Sequence, residues 1–148
     1  MTNTATPAQL PAFRIIGLHI RTQPATAAAD IGALWPRWFG SDTAAISALD
    51  DALYCAYHQY DSDYRGAYSV TLGKKVAADA PVPAGFAELL IPAQDYACYP
   101  APGEMPQAIV QVWQHIWQND ANLPRRYQVD FDVYPAAATP AVYIGLRT

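Results

Sequence analysis

Two carboxylates stand two residues apart in the stretch Arg126-Tyr127-Gln128-Val129-Asp130-Phe131-Asp132-Val133-Tyr134. Its strict alternation puts Tyr127, Val129, Phe131 and Val133 on one face of a strand. Gln128, Asp130, Asp132 and Tyr134 share the other. Facing water, this is an ordinary half-buried strand. Lining a cavity, it is an anionic site with an aromatic beside it, which suits a cationic ligand. Asp132 is the principal candidate. A carboxylate in an aromatic-walled groove loses hydration, and a bound cation supplies the partner that burial removes. Asp130 lies toward the rim and can equally pair with Arg125 or Arg126.

Other chemistries find little support. His19, His58 and His115 are scattered without ligand spacing, so no metal site is expected. Cys55 and Cys98 lie in apolar strands at no metal or redox spacing and read as small buried hydrophobes. There is no Gly-x-Ser-x-Gly elbow, no placeable Cys-His pair and no phosphate-cradling glycine loop. No catalytic residue and no cofactor are therefore assigned. Glu104 precedes a helix, where the dipole explains it, and Glu88 faces solvent from a strand.

The chain has 148 residues, enough for one domain with its own core. With 52% hydrophobic and 15% charged residues it is globular rather than disordered. Net charge is −4, and the basic pairs Lys74-Lys75 and Arg125-Arg126 stand isolated. Direct nucleic-acid binding needs a basic surface, so it is not expected. Residues 1–11 read as a flexible Thr/Ala/Pro-rich leader without the basic start and apolar run of a signal peptide. No apolar stretch approaches the ~20 residues of a membrane span, and a cytoplasmic protein without membrane contact is the expectation.

The elements that must position Asp132 follow from periodicity. Phe13–Arg21 reads as a strand and 26–39 as a helix with Ile31, Leu34, Trp35 and Trp38 on one face. Pro36 predicts a kink or an early stop in it. The segment 41–51 is a connection with one helical turn. Leu53–Tyr60 and Tyr68–Lys75 form a hairpin around 61–66. Residues 77–85 connect to strands 86–91 and 96–99, with 92–95 as a turn. A second helix spans 105–118, with Pro106 in its first turn and Ile109, Val112, Trp113, Ile116 and Trp117 as its stripe. Strands 127–134 and 142–147 close the chain. Each half thus reads strand, helix, hairpin, over about 13–76 and 86–147. Trp35 and Phe39 in one helix match Trp113 and Trp117 in the other. A duplicated β-α-β-β unit follows, forming a single α+β domain over 12–148. Its antiparallel sheets meet at a pseudo-twofold groove, a favoured place for a ligand. Trp35 and Trp113 are candidate walls, flanked by Tyr68, Tyr134 and Tyr143. Tyr57, Tyr60, Tyr64, Tyr96 and Tyr99 are left between core and rim.

The chain resembles the GyrI-like effector-binding family. The resemblance spans about 13–147, on Ile31-Gly32-Ala33-Leu34-Trp35-Pro36-Arg37-Trp38-Phe39, the run from Tyr57 to Ser69, and Leu72-Gly73. It continues through Ile91-Pro92-Ala93-Gln94-Asp95-Tyr96-Ala97, Phe131-Asp132-Val133-Tyr134 and Tyr143-Ile144-Gly145. That family includes the ligand-binding halves of AraC-type and MerR-type multidrug regulators, gyrase inhibitory proteins and stand-alone integron-cassette proteins. It implies the duplicated fold and a groove for hydrophobic, often cationic, drug- or dye-like molecules. Asp132 stands where many members carry glutamate, keeping the charge with one methylene less reach. The 148 residues leave no room for a helix-turn-helix domain, so the stand-alone members are the better comparison. With the groove read from the repeat, the expected ligand-binding set is Asp132, Trp35, Trp113, Trp117, Tyr68, Tyr134, Tyr143 and Phe39. The expected partner is an amphipathic small-molecule cation, bound without catalysis by a monomer or dimer. Two alternatives accompany it: hydrolysis of electrophilic cyclopropane-bearing compounds, and regulation of a protein partner such as gyrase.

Overall fold

A computed structural model describes residues 5–147. Its strands are β1 (Thr6–Leu10), β2 (Phe13–Thr22), β3 (Leu53–His58), β4 (Tyr68–Val76), β5 (Ala87–Ile91), β6 (Gln94–Pro100), β7 (Val129–Tyr134) and β8 (Ala141–Gly145). The helices are α1 (Ala27–Phe39) and α2 (Gln107–Gln118). All eight strands join one antiparallel sheet in the order β1-β6-β8-β7-β3-β4-β2-β5. Read backwards, this order is unchanged when β1, β2, β3 and β4 are exchanged with β5, β6, β7 and β8. The duplicated α+β architecture is therefore real, and its two sheets are fused through β3 and β7 rather than merely abutting.

The sheet must curl strongly. Only Pro11 and Ala12 separate β1 from β2, yet five strands lie between them in the sheet. A flat sheet would hold those strands roughly 29 Å apart. Two intervening residues span at most about 11 Å. The same conflict, and the same solution, recurs where Pro92-Ala93 links β5 to β6. The bend brings Phe13 on β2 within 5.4 Å of Phe131 on β7, ring centre to ring centre. Ile15, Ala56, Ile91, Tyr96, Val129 and Phe131 fill this concave interior.

The two helices cover the convex face. Ile31, Leu34, Trp35 and Trp38 of α1 pack on Ile16, Leu18, Val70 and Leu72. Ile109, Val112 and Ile116 of α2 pack on Ala97, Tyr99, Val142 and Ile144. The stripe of each helix is thus the one its 3.6-residue period demands. None of the helices among the described residues is long and apolar enough to cross a membrane.

Several boundaries differ from expectation. Part of the supposed leader is a strand, since Thr6–Leu10 pairs with β6. Its Thr/Ala/Pro composition hides it, because partner backbone and not side-chain alternation holds this edge. Residues 1–4 lie outside the described residues. Helix α1 does not stop at Pro36 but runs to Phe39. The carbonyl that Pro36 cannot donate to belongs to exposed Gly32, where water serves. β3 ends at His58 and β7 begins at Val129, because Gln59 and Tyr127 adopt positive φ, 51° and 55°. β5 and β6 flank a tight link yet do not pair with each other.

Gly17 and Gly73 face each other across β2 and β4. A Cβ on Gly17 would lie 1.9 Å from the Leu72 carbonyl oxygen, and one on Gly73 2.1 Å from that of Ile16. The strands approach here as no side chain permits. Gly17→Ala should cost about 3 kcal/mol or more in urea unfolding. Gly32→Ala, in α1 with nothing within 4 Å of its added Cβ, should instead gain about 0.5–1 kcal/mol.

Candidate functional site

Asp132 sits where the two halves join. In the β3–β7 register it lies directly opposite Cys55, with Tyr57 opposite Asp130 and Leu53 opposite Tyr134. Exchanging the halves therefore places Cys55 on Asp132 and Tyr57 on Tyr134. The pseudo-twofold passes between a thiol and a carboxylate. Alternation along β7 directs Asp132 to the convex face, where Trp113 of α2 reaches it and Trp35 of α1 packs on the adjacent Tyr134.

The carboxylate is 1% exposed and accepts three hydrogen bonds. Trp113 Nε1 donates to Oδ1 at 2.8 Å. The hydroxyls of Tyr57 and Tyr134 donate to Oδ2 at 2.7 and 3.0 Å. The Cys55 thiol in turn reaches the Tyr57 oxygen at 3.5 Å. Among the described residues no Lys, Arg or His forms an ion pair with Asp132. Burial pushes its pKa up to about 6, against the three hydrogen bonds that favour the anion, while nearby Asp130 adds a small push upward. Burial and the Asp132 charge hold the Tyr57 and Tyr134 phenols well above their usual range, so both stay protonated donors.

Aromatic rings wall the acid on both sides. Trp113 meets Tyr57 edge-on at 5.1 Å, and Trp35 meets Tyr134 edge-on at 5.1 Å. One pair is the image of the other across the pseudo-twofold. Tyr68 extends the wall beside Tyr57 at 6.1 Å. Outside them Phe39 packs on Trp35 and Trp117 on Trp113, at 6.2 and 6.0 Å. These outer rings remain 69% and 43% exposed, a pair of apolar lips over a polar floor.

Seven of the eight expected ligand-binding residues thus surround one place: Asp132, Trp35, Trp113, Trp117, Tyr68, Tyr134 and Phe39. Tyr143 does not join them. It pairs with Phe131 across β7 and β8, so it shares that ring's concave face and stacks on it at 4.8 Å. Asp130 lies on the Asp132 face but is occupied. Arg125 Nη2 donates to it at 2.8 Å, the Gly145 amide at 2.7 Å, and the Tyr60 hydroxyl as well. It is fully buried and holds structure rather than a ligand. Of the five tyrosines left between core and rim by the sequence, Tyr57 is the one that reaches Asp132, and only the β3–β7 register reveals its place. Among the described residues no cluster of His, Cys, Asp and Glu could hold a metal ion.

Residues 8–147 match the family described as integron-associated effector binding protein, Cass2. The chain belongs to that family. It is similar to the integron cassette protein VCH_CASS2 from the mobile metagenome of Vibrio cholerae, at 25% identity and a TM-score of 0.83. That alignment covers 97% of this chain and 96% of the other. Bacillus subtilis (strain 168) has a relative named as a transcriptional regulator protein, YobU, 25% identical over 147 residues. It covers 90% of this chain and 92% of YobU. The same fold occurs in SAV2435, solved bound to tetraphenylphosphonium, at 17% identity and a TM-score of 0.75 over 97% and 93% of the two chains.

A raised carboxyl pKa is a cost to the folded state. Asp132 holds its proton more tightly folded than unfolded, so stability is greatest below the ordinary value of 3.8 and falls as pH rises to about 6. That fall amounts to about 3 kcal/mol for this group. Asp132→Asn should flatten the decline between pH 4 and 6 and leave the ligand-free protein more stable at pH 7. Urea unfolding across that range, wild type against variant, reads both.

Proposed function

We propose that the protein binds hydrophobic, aromatic small-molecule cations in the groove between α1 and α2, with Asp132 as counter-charge. The observation that carries this reading is a fully buried carboxylate with no cationic partner. Trp113, Tyr57 and Tyr134 hydrogen-bond it but leave its charge uncompensated. A desolvated negative charge without a counter-ion persists only where something outside the fold repays it. A cation repays it more fully in this setting than in water, because the aromatic surroundings screen poorly.

The rings fit that ligand. Trp113 meets the acid through its indole N–H and Trp35 packs on Tyr134 beside it, which supplies the aromatic surroundings that suit a positive charge. Phe39 and Trp117 supply exposed apolar surface for the body of an amphipathic molecule. Tetraphenylphosphonium, the ligand of the structurally similar SAV2435, has this chemistry: a delocalised charge wrapped in phenyl groups. Effector binding in this family and the regulatory name of YobU support signalling of such compounds as the wider role.

Only the ionised acid attracts a cation, so affinity should climb as pH rises through about 6 and level off above it. Tryptophan quenching by tetraphenylphosphonium, and by uncharged triphenylphosphine oxide, tests both charge and shape. Asp132→Asn should weaken the cation about 10- to 100-fold and abolish the pH dependence, leaving the neutral compound within about threefold. Equal losses for the two compounds would remove the electrostatic basis of the reading. Tyr57→Phe should keep the ring, raise the pH midpoint, and leave high-pH affinity nearly intact.

A further inference from the structure

The concave face carries a second cleft, of about 480 Å³, on the opposite side of the sheet from Asp132. Leu89 and Val129 contribute apolar surface to it, Tyr60 and Tyr127 aromatic surface, and His19 and His58 its polar edge. The phenols of both tyrosines are already engaged, donating to Asp130 and Asp120. The two rings meet edge-on at 5.3 Å and the Arg125 guanidinium lies over Tyr127 at 4.1 Å, so a visitor meets only the ring surface left on the cleft side.

The two histidines are coupled through one hydroxyl. Thr71 on β4 lies opposite His19 on β2, while His58 comes from the strand on the other side, β3. His58 Nε2 and His19 Nδ1 both reach Thr71 Oγ1, at 2.9 and 3.2 Å. The imidazole rings are 5.5 Å apart. Burial, aided by the charges of His19 and Arg21, lowers the His58 pKa to about 4, so its ring is neutral near pH 7. The nearby charged groups are themselves paired: Arg21 with Asp61, and Glu88 with Arg14.

A threonine hydroxyl carries one proton, so with both rings neutral it donates to one imidazole and accepts from the other. If Thr71 donates to His58, then His58 carries its proton on Nδ1 and His19 has a bare Nε2. If it donates to His19, these roles reverse. Among the described residues neither outer nitrogen has a protein hydrogen-bond partner. In either arrangement one ring has an outer N–H and the other an outer lone pair, and both rings line the aromatic-walled cleft.

We propose that this cleft is a second small-molecule site, taking an uncharged planar heterocycle with a lactam edge, donor beside acceptor. Such an edge satisfies both imidazoles at once, and the ring lies against Tyr60 and Tyr127. The relay can switch its direction, so the ligand can enter either way round without leaving a buried polar group unpaired. A cation gains nothing here, because the cleft holds no unpaired acid. The site is therefore complementary in chemistry to the groove on the convex face.

The test is a titration of 15N-histidine-labelled protein with 2-quinolone, followed through the imidazole signals. We expect saturable shifts in His19 and His58, with His115 on α2 unmoved. N-methyl-2-quinolone, which lacks the donor, should bind about tenfold more weakly, and Thr71→Val should weaken 2-quinolone by a similar factor. His19→Ala, at an exposed position, should do the same without threatening the fold. Asp132→Asn should change nothing. Absence of saturable shifts, equal binding of the N-methyl compound, or loss of binding in Asp132→Asn would overturn the proposal.

Discussion

The pairing of β3 with β7 is the constraint on which the rest depends. It fuses two β-α-β-β units into one sheet, and its register decides what faces what. With Cys55 opposite Asp132, the pseudo-twofold runs through a single carboxylate's surroundings. Its nearest aromatic neighbours then arrive in duplicate, Tyr57 with Tyr134 and Trp113 with Trp35, while Tyr68 has no counterpart. A slip of one residue would turn Asp132 into the concave core and Phe131 out into the groove. The adjacent ion pair of Asp130 with buried Arg125 helps fix that register, since displacing it would strand two charges.

Much of this was legible in the sequence, for physical reasons. Alternation from Val129 to Tyr134 placed Asp132 on one face because a pleated strand has no freedom in that respect. The Trp35/Phe39 and Trp113/Trp117 spacings located the two helices and their equivalence. Tyr57 and Tyr143 were not legible. Their placement depends on which strands pair and in what register, and that is set by contacts far apart in the chain. Tyr143 has the composition of a groove residue but the wrong parity against Phe131. Strand β1 was invisible for a related reason: an edge strand held by backbone bonds needs no distinctive side chains. Pro36 brought no early stop, because the carbonyl it leaves without a helical donor belongs to exposed Gly32 and is open to solvent.

Stability and the proposed binding role pull in opposite directions at Asp132. The fold keeps the charge desolvated and supplies only neutral donors. Those donors matter: without them the acid would hold its proton more tightly and offer no charge. With them it is poised near neutrality, ionised but under-compensated. Asp130, two residues away, shows the alternative, since Arg125, Gly145 and Tyr60 satisfy it entirely. One strand thus carries a carboxylate that completes the fold and another that the fold leaves incomplete.

The two-residue links at Pro11-Ala12 and Pro92-Ala93 send each half's leading strand across to edge the other half. Neither half owns a complete sheet. A chain of half this length could close such a sheet only as an intertwined pair of identical copies, with both members of every symmetry-related pair forced to be the same residue. Joining the copies in tandem releases that bond of identity. One position on the axis can then become a thiol while its mate becomes an acid, and a symmetric cage acquires a direction.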